Sequence, residues 1–286
     1  MKRRRMKGYR TGILAPAGRL CLSLLAIVLM VAFALQGAMA SPVEGDASAE
    51  SEPVDGQAPL DERLPAEVLG LPEKDRVEDS FFDKTLFVGD SISIKLDWYV
   101  TERRRNGQPK LLGNSRFFCS GGLAIADLLD PVSKKSVHPS LKGKKMLLED
   151  AVAVSGAERV YIMLGMNDIA VFDVQGSVDI MMELLARIRK KSPNVQLFIE
   201  SVTPRLSTKD QKRLNNANLV KYNRLLCETL QQSGLQSTWF VDVASALRGE
   251  DGALPPEYCS DPDELGIHFT DEACQIWIDY LYTHTP

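Results

Sequence analysis

Three short fragments, far apart in the chain, carry residue types that together do nucleophilic acyl chemistry: Gly89-Asp90-Ser91, Gly165-Met166-Asn167-Asp168 and Gly266-Ile267-His268. A serine hydroxyl is a poor nucleophile until a base takes its proton, and the acyl oxygen that turns negative must be met by fixed donors. Ser91 is the candidate nucleophile, and His268, within Gly-Ile-His-Phe-Thr, is the candidate base. His138 reads as a loop residue and His284 falls at the chain end. Three donors are available for the oxyanion: the Ser91 N–H at the start of a helix, the Asn167 side-chain amide, and the Gly121 N–H in Cys119-Ser120-Gly121-Gly122. Each fragment alone has a plainer reading, since Ser and Asp are favoured helix caps and Asn-Asp is a common turn.

The elements needed to bring these residues together are legible. Thr85 to Val88 and Val160 to Leu164 are apolar runs that end just before Ser91 and Asn167, so each reads as a buried strand delivering its residue to the carboxyl edge of a sheet, where open α/β sheets bind ligands. Further strand candidates are Ser115 to Phe118, Val195 to Ser201 and Thr238 to Val243. Helical patterns alternate with them. One is expected over about 144–155, stopping at Gly156 as a left-handed cap. Another carries Val178, Met181, Met182, Leu185 and Ile188 at three- and four-residue spacing, with Ser177 as its expected cap. A third covers about 217–232 and a fourth follows Thr270. Strands alternating with helices predict a parallel sheet with crossover helices, and residues 81–286 are enough for one domain with an ample core.

The first forty residues have the layout of a signal peptide: a basic start, an apolar stretch from Leu20 to Leu35, then Ala38-Met39-Ala40. Cleavage is expected after Ala40, giving an exported protein. The alternative is an uncleaved anchor that would tether the chain to a membrane. Removing this segment leaves 27 Lys and Arg against 38 Asp and Glu, a net charge of -11. Nucleic acid is thereby excluded as a partner, because phosphate-backbone affinity rests on clustered Lys and Arg. Residues 41–80, acidic and Pro-rich without periodicity, are expected to form a disordered linker. Cys119, Cys227, Cys259 and Cys274 allow three pairings. With no Cys-x-x-Cys pair and scattered histidines, no metal is assigned.

Taken in order, Phe87-Val88-Gly89-Asp90-Ser91, Ser120-Gly121-Gly122, Leu164-Gly165-Met166-Asn167-Asp168 and Gly266-Ile267-His268-Phe269-Thr270 resemble the four conserved blocks of the SGNH/GDSL hydrolase superfamily. The resemblance covers most of residues 81–282. It implies a flavodoxin-like three-layer α/β/α sandwich with a central parallel sheet of about five strands, no cofactor, and hydrolysis of esters through an acyl-serine intermediate. One position departs: the family's last block has Asp three residues before the histidine, where this chain has Leu265. Asp263 is the preferred orienting carboxylate, reaching the imidazole through a longer loop, with Asp261, Glu264 or a bare Ser-His dyad as alternatives. The expected activity is that of an exported esterase acting on small-acyl, O-acetyl esters of glycans. The rival readings are acyl transfer to a glycan through the same site, and a glycan-binding domain with an inactive site.

Overall fold

The computed structural model describes residues 70–286. The expected leader (1–40), its cleavage point and most of the expected linker therefore lie outside the described residues. The folded part begins earlier than residue 81, correcting the expected linker boundary. Leu71 N–H donates to Phe240 O at 3.0 Å, Lys74 N–H to Thr283 O at 2.7 Å and Val77 N–H to Tyr282 O at 2.9 Å, so the end of the acidic stretch is stitched to the domain by its backbone. Side chains add to these bonds: Arg76 pairs with Asp279 at 2.8 Å and lies over the Tyr282 ring, and Leu71 and Val77 pack on the core.

Among the described residues, seven strands follow in chain order: β1 (Thr85–Gly89), β2 (Arg116–Cys119), β3 (Ser140–Leu141), β4 (Lys144–Lys145), β5 (Arg159–Met163), β6 (Gln196–Glu200) and β7 (Thr238–Val241). Five of them form one sheet in the order β2-β1-β5-β6-β7, every pair parallel. β3 and β4 make a separate small hairpin. The chain moves from β1 to β2 on one side, then returns past β1 to β5 on the other, so the winding reverses between β1 and β5. At such a switch the flanking connections diverge and leave a crevice beyond the strand ends.

The helices are α1 (Ser91–Arg105), α2 (Ile125–Leu129), α3 (Leu148–Ser155), α4 (Met166–Ile169), α5 (Val174–Lys191), α6 (Asn216–Ser233), α7 (Val243–Leu247) and α8 (Asp271–Thr283). α5 packs against α2, α3 and α6, whereas α8 packs against α1 and α7. The sheet lies between these two groups, which gives the expected α/β sandwich. Across its middle runs an aromatic row with one ring from each strand: Phe117, Phe87, Tyr161, Phe198 and Trp239, successive centroids 5.1, 5.1, 4.3 and 5.1 Å apart. These residues are register partners. Pairs of this kind hold adjacent strands in one alignment, since a one-residue slip would move every ring to the opposite face.

Two local expectations are corrected. Lys144 and Lys145 belong to β4, and α3 starts only at Leu148, because the Lys142-Gly143 turn closes a hairpin. α5 is capped by Asp173, whose side chain accepts from Gly176 N–H at 2.7 Å, while Ser177 lies inside the helix and donates to Asp173 O.

Candidate active site

β1 ends at Gly89, and Asp90 caps α1, its Oδ1 accepting from Ile92 N–H at 2.9 Å. Ser91 is the first helical residue, so its N–H belongs to the helix-start donors that have no intrahelical acceptor. In the neighbouring strand, Ser120 N–H extends the ladder to Gly89 O at 3.2 Å, and Leu123 N–H closes a turn onto Ser120 O. That turn brings Gly121 beside the end of β1. On the other side β5 leads to Gly165, where φ is +131° and a Cβ would sit 2.5 Å from the Tyr222 ring. A side chain there is excluded both by conformation and by space.

The His268 imidazole meets the end of β1 across 177 residues of sequence. Its Nε2 lies 2.9 Å from Ser91 Oγ, and its Nδ1 lies 2.7 Å from Asp261 Oδ2. Asp261 Oδ1 accepts from the Ile267 and His268 N–H groups at 3.0 and 2.9 Å and faces the Cys259 thiol at 3.3 Å. The carboxylate is therefore held by three donors besides the ring. Its side chain is only 10% exposed, against 25% for His268.

This arrangement corrects the expectation for Asp263. Residues 258–260 and 268–270 form a short antiparallel stem, with Ser260 N–H donating to His268 O and Thr270 N–H to Tyr258 O. Asp261 stands at the top of that stem, opposite the imidazole. The chain then turns through Pro262 and closes at Gly266, with φ +66°, whose N–H returns to Asp261 O at 3.2 Å. Asp263 is at the tip of the excursion, and its carbonyl accepts from Lys209 Nζ at 3.0 Å.

Charges at the site are set by burial and pairing. Burial works to lower the His268 pKa, but the hydrogen bond to Asp261 and the carboxylates of Asp261, Asp90 and Glu264 outweigh it, and the imidazole ends above its ordinary 6.5. Burial works to raise Asp261, yet its bonds to the His268 ring and backbone bring it down to about 2. Two further buried carboxyls escaped the sequence reading of roles. Asp90 and Asp168 are each pushed up to about 6, chiefly by burial. Asp168 accepts from Ile125 and Ala126 N–H at 2.9 and 3.2 Å, capping α2 from a distant part of the chain.

Asn167 reaches the same rim. Its Nδ2 donates to Asp90 Oδ2 at 3.1 Å and to Leu123 O at 3.0 Å, so both amide hydrogens are engaged in this state. Ser91, Asn167 and His268 thus meet at the carboxyl ends of β1 and β5, and Gly121 follows the end of β2. Arg205 was missed altogether. It is fully buried, donates to Leu214 O at 2.7 Å and to Leu265 O at 2.8 Å, and so ties the connection after β6 to the histidine loop. Cys119, Cys259 and Cys274 are free thiols.

With this geometry in hand, residues 87–276 match the profile of the GDSL-like Lipase/Acylhydrolase family. Among curated proteins nothing matches the chain in sequence. Solved structures similar to it include a GDSL-like lipase from Bacteroides thetaiotaomicron, 15% identical over 69% of this chain and 84% of that one, with a TM-score of 0.48. A carbohydrate esterase family 3 structure from Talaromyces cellulolyticus is 15% identical over 69% and 93%, with a TM-score of 0.46. An acetyl xylan esterase is 14% identical over 69% and 97%, with a TM-score of 0.47.

Proposed function

Because the chain belongs to the GDSL-like Lipase/Acylhydrolase family, and is therefore a carboxylic ester hydrolase, we propose that it is an exported serine esterase that removes small acyl groups, chiefly O-acetyl, from glycans. Ser91 Oγ attacks the acyl carbon as His268 Nε2 takes the hydroxyl proton. His268 then gives that proton to the departing sugar oxygen. Water, deprotonated by the same imidazole, attacks the acyl-serine and releases acetate and free Ser91. Asp261 keeps the Nδ1 proton in place, so that Nε2 faces Ser91 as an acceptor, and it stabilises the imidazolium that forms.

The oxyanion is met by the Ser91 and Gly121 N–H groups and by Asn167. For Asn167 to donate, its bond to the Leu123 carbonyl must give way to the acyl oxygen. The bond to Asp90 can persist and hold the amide in orientation. No cofactor enters this scheme.

The observation that carries the reading is the continuous hydrogen-bonded line Asp261–His268–Ser91, with contacts of 2.7 and 2.9 Å. Export is supported by the basic, apolar and small-residue layout of residues 1–40, and an enzyme acting outside the membrane meets acylated glycans there. The test is acetate release from nitrophenyl acetate and from an acetylated glycan, comparing wild type with Ser91→Ala and His268→Ala. Loss of release in both variants supports the reading. Equal release by Ser91→Ala overturns it, and acetyl transfer to added glycan in place of free acetate overturns the choice of hydrolysis.

A further inference from the structure

Beside the Asn167 segment lies a pocket of about 360 Å³ that the proposed chemistry does not use. One wall is the connection after β5, with Ile169, Phe172 and Val174. The other is the connection after β6 with the first turns of α6, contributing Arg213, Asn218 and Lys221. Since β5 and β6 are adjacent strands, the pocket sits on the sheet edge that also carries Ser91 and Asn167. Ile169 closes the same short helix that Asn167 occupies, two residues further along.

The walls are fixed before any ligand arrives. Arg213 Nη1 donates to the Val171 carbonyl, and Asn218 Nδ2 donates to Arg213 O at 2.7 Å. Tyr222, next to Lys221, donates to Leu164 O at 3.1 Å and packs on Gly165, pinning α6 to the Asn167 segment. The polar chemistry on offer is lopsided. Arg213 and Lys221 are both exposed cations, and Asn218 is an amide. The one carboxylate, Asp173, is committed to capping α5 through Gly176 N–H. Phe172, 41% exposed, supplies a flat apolar platform beside these cations.

A guanidinium anchored through one nitrogen keeps its remaining N–H groups for an anion, and a lysine one helical turn beyond Asn218 adds a mobile second charge. The volume is at the small end of ligand pockets and suits one monosaccharide. We infer that this pocket is a substrate subsite that binds a carboxylate-bearing sugar of the acylated glycan, with the sugar ring against Phe172 and its carboxylate on Arg213 and Lys221. The inference rests on the esterase reading and narrows its substrate class to acidic glycans.

Two measurements separate the fate of this inference from that of the esterase reading. The first is calorimetric binding of trigalacturonate, neutral xylotriose and glucose 6-phosphate to the Ser91→Ala protein, which needs no turnover. Trigalacturonate should bind at least about fivefold tighter than xylotriose, an advantage that Arg213→Gln with Lys221→Gln removes and that added salt weakens. Lys190→Gln, an exposed cation at the far end of α5, should leave that advantage unchanged. The second is the ratio of kcat/KM on acetylated galacturonan to that on acetylated xylan, which should fall by the same factor in the double variant. Equal binding of both trisaccharides overturns the inference. So does a preference that survives the double substitution, or binding of the sugar phosphate alone. Absence of all ester hydrolysis, with the trigalacturonate preference intact, counts against the esterase reading while supporting the subsite.

Discussion

Asp261→Asn exchanges one carboxylate oxygen for an NH2 at the point where the imidazole is held. Oδ1 must remain an acceptor, because the Ile267 and His268 N–H groups both point at it from 3.0 and 2.9 Å. The amide nitrogen is therefore forced into the Oδ2 position, 2.7 Å from His268 Nδ1. Its hydrogens then require Nδ1 to be the acceptor, which moves the ring proton to Nε2, and an Nε2–H cannot take a proton from Ser91. In the serine-protease template such a tautomer error lowers turnover by about ten-thousand-fold, or roughly 5 kcal/mol of barrier. The folded state should survive, since the backbone bonds to Oδ1 are kept in neutral form and only their charge assistance and that of the imidazole bond are lost, at a cost of about 1.5–3 kcal/mol. A second signature lies in the pH profile. The base must be neutral, so activity rises with pH through the His268 pKa, which Asp261 holds above 6.5. Removing that charge should move the acidic limb to lower pH even as the plateau falls. The assay is kcat/KM for a short-acyl nitrophenyl ester from pH 5 to 9, with Asp263→Asn alongside as the loop-tip control. A plateau within tenfold of wild type for Asp261→Asn, or an equal loss for Asp263→Asn, would refute the assignment.

Asn167→Ala should lower kcat by about a hundred- to a thousand-fold, the loss typical of one preorganised oxyanion donor, with KM for a small ester changing far less; steady-state kinetics check the split. Glu200 is buried against Trp277, whose Nε1–H donates to it at 2.6 Å, and burial raises its pKa to about 8. The folded state therefore holds this proton more tightly than the unfolded chain, so its contribution is complete below about pH 4.5 and is lost as pH rises to about 8. Glu200→Gln keeps the acceptor and removes the ionisation. Its unfolding free energy, read by chemical denaturation, should exceed that of wild type at pH 8.5 by an amount on the order of a few kcal/mol, and the gap should close towards pH 5. Gly165→Ala meets both a positive φ and the Tyr222 ring 2.5 Å from the new Cβ, so chemical denaturation should reveal a loss above about 1 kcal/mol.

Much of the sheet could be read before any coordinates, because a strand buried on both faces is a short continuous apolar run, and Thr85 to Val88 and Val160 to Leu164 have no other comfortable place. Ser91, Asn167 and His268 were legible for the same reason: each follows directly on a strand end or precedes a capped helix, so local sequence fixes its position. The errors share a different cause. Loop length along the chain favours Asp263, whereas the deciding contacts are cross-strand bonds between 258–260 and 268–270 that set Asp261 beside the imidazole. Lys144 and Lys145 joined a hairpin whose partner strand is only two residues long. Arg205 carries no signal in its own neighbourhood; its importance comes from carbonyls of Leu214 and Leu265, the latter 60 positions away. The early start of the folded part, at residues 70–80, rests on main-chain bonds to β7 and α8 and on isolated side chains such as Leu71, Arg76 and Val77, which show no periodicity of their own.

The account stands on Ser91 being a nucleophile activated by His268. The most direct measurement is covalent labelling of the protein by a fluorophosphonate, with the modified peptide identified by mass spectrometry. The account predicts a single adduct on Ser91, formed rapidly in wild type, strongly slowed in His268→Ala and absent in Ser91→Ala. An unlabelled wild-type protein, or an adduct on another residue that persists in Ser91→Ala, would contradict it.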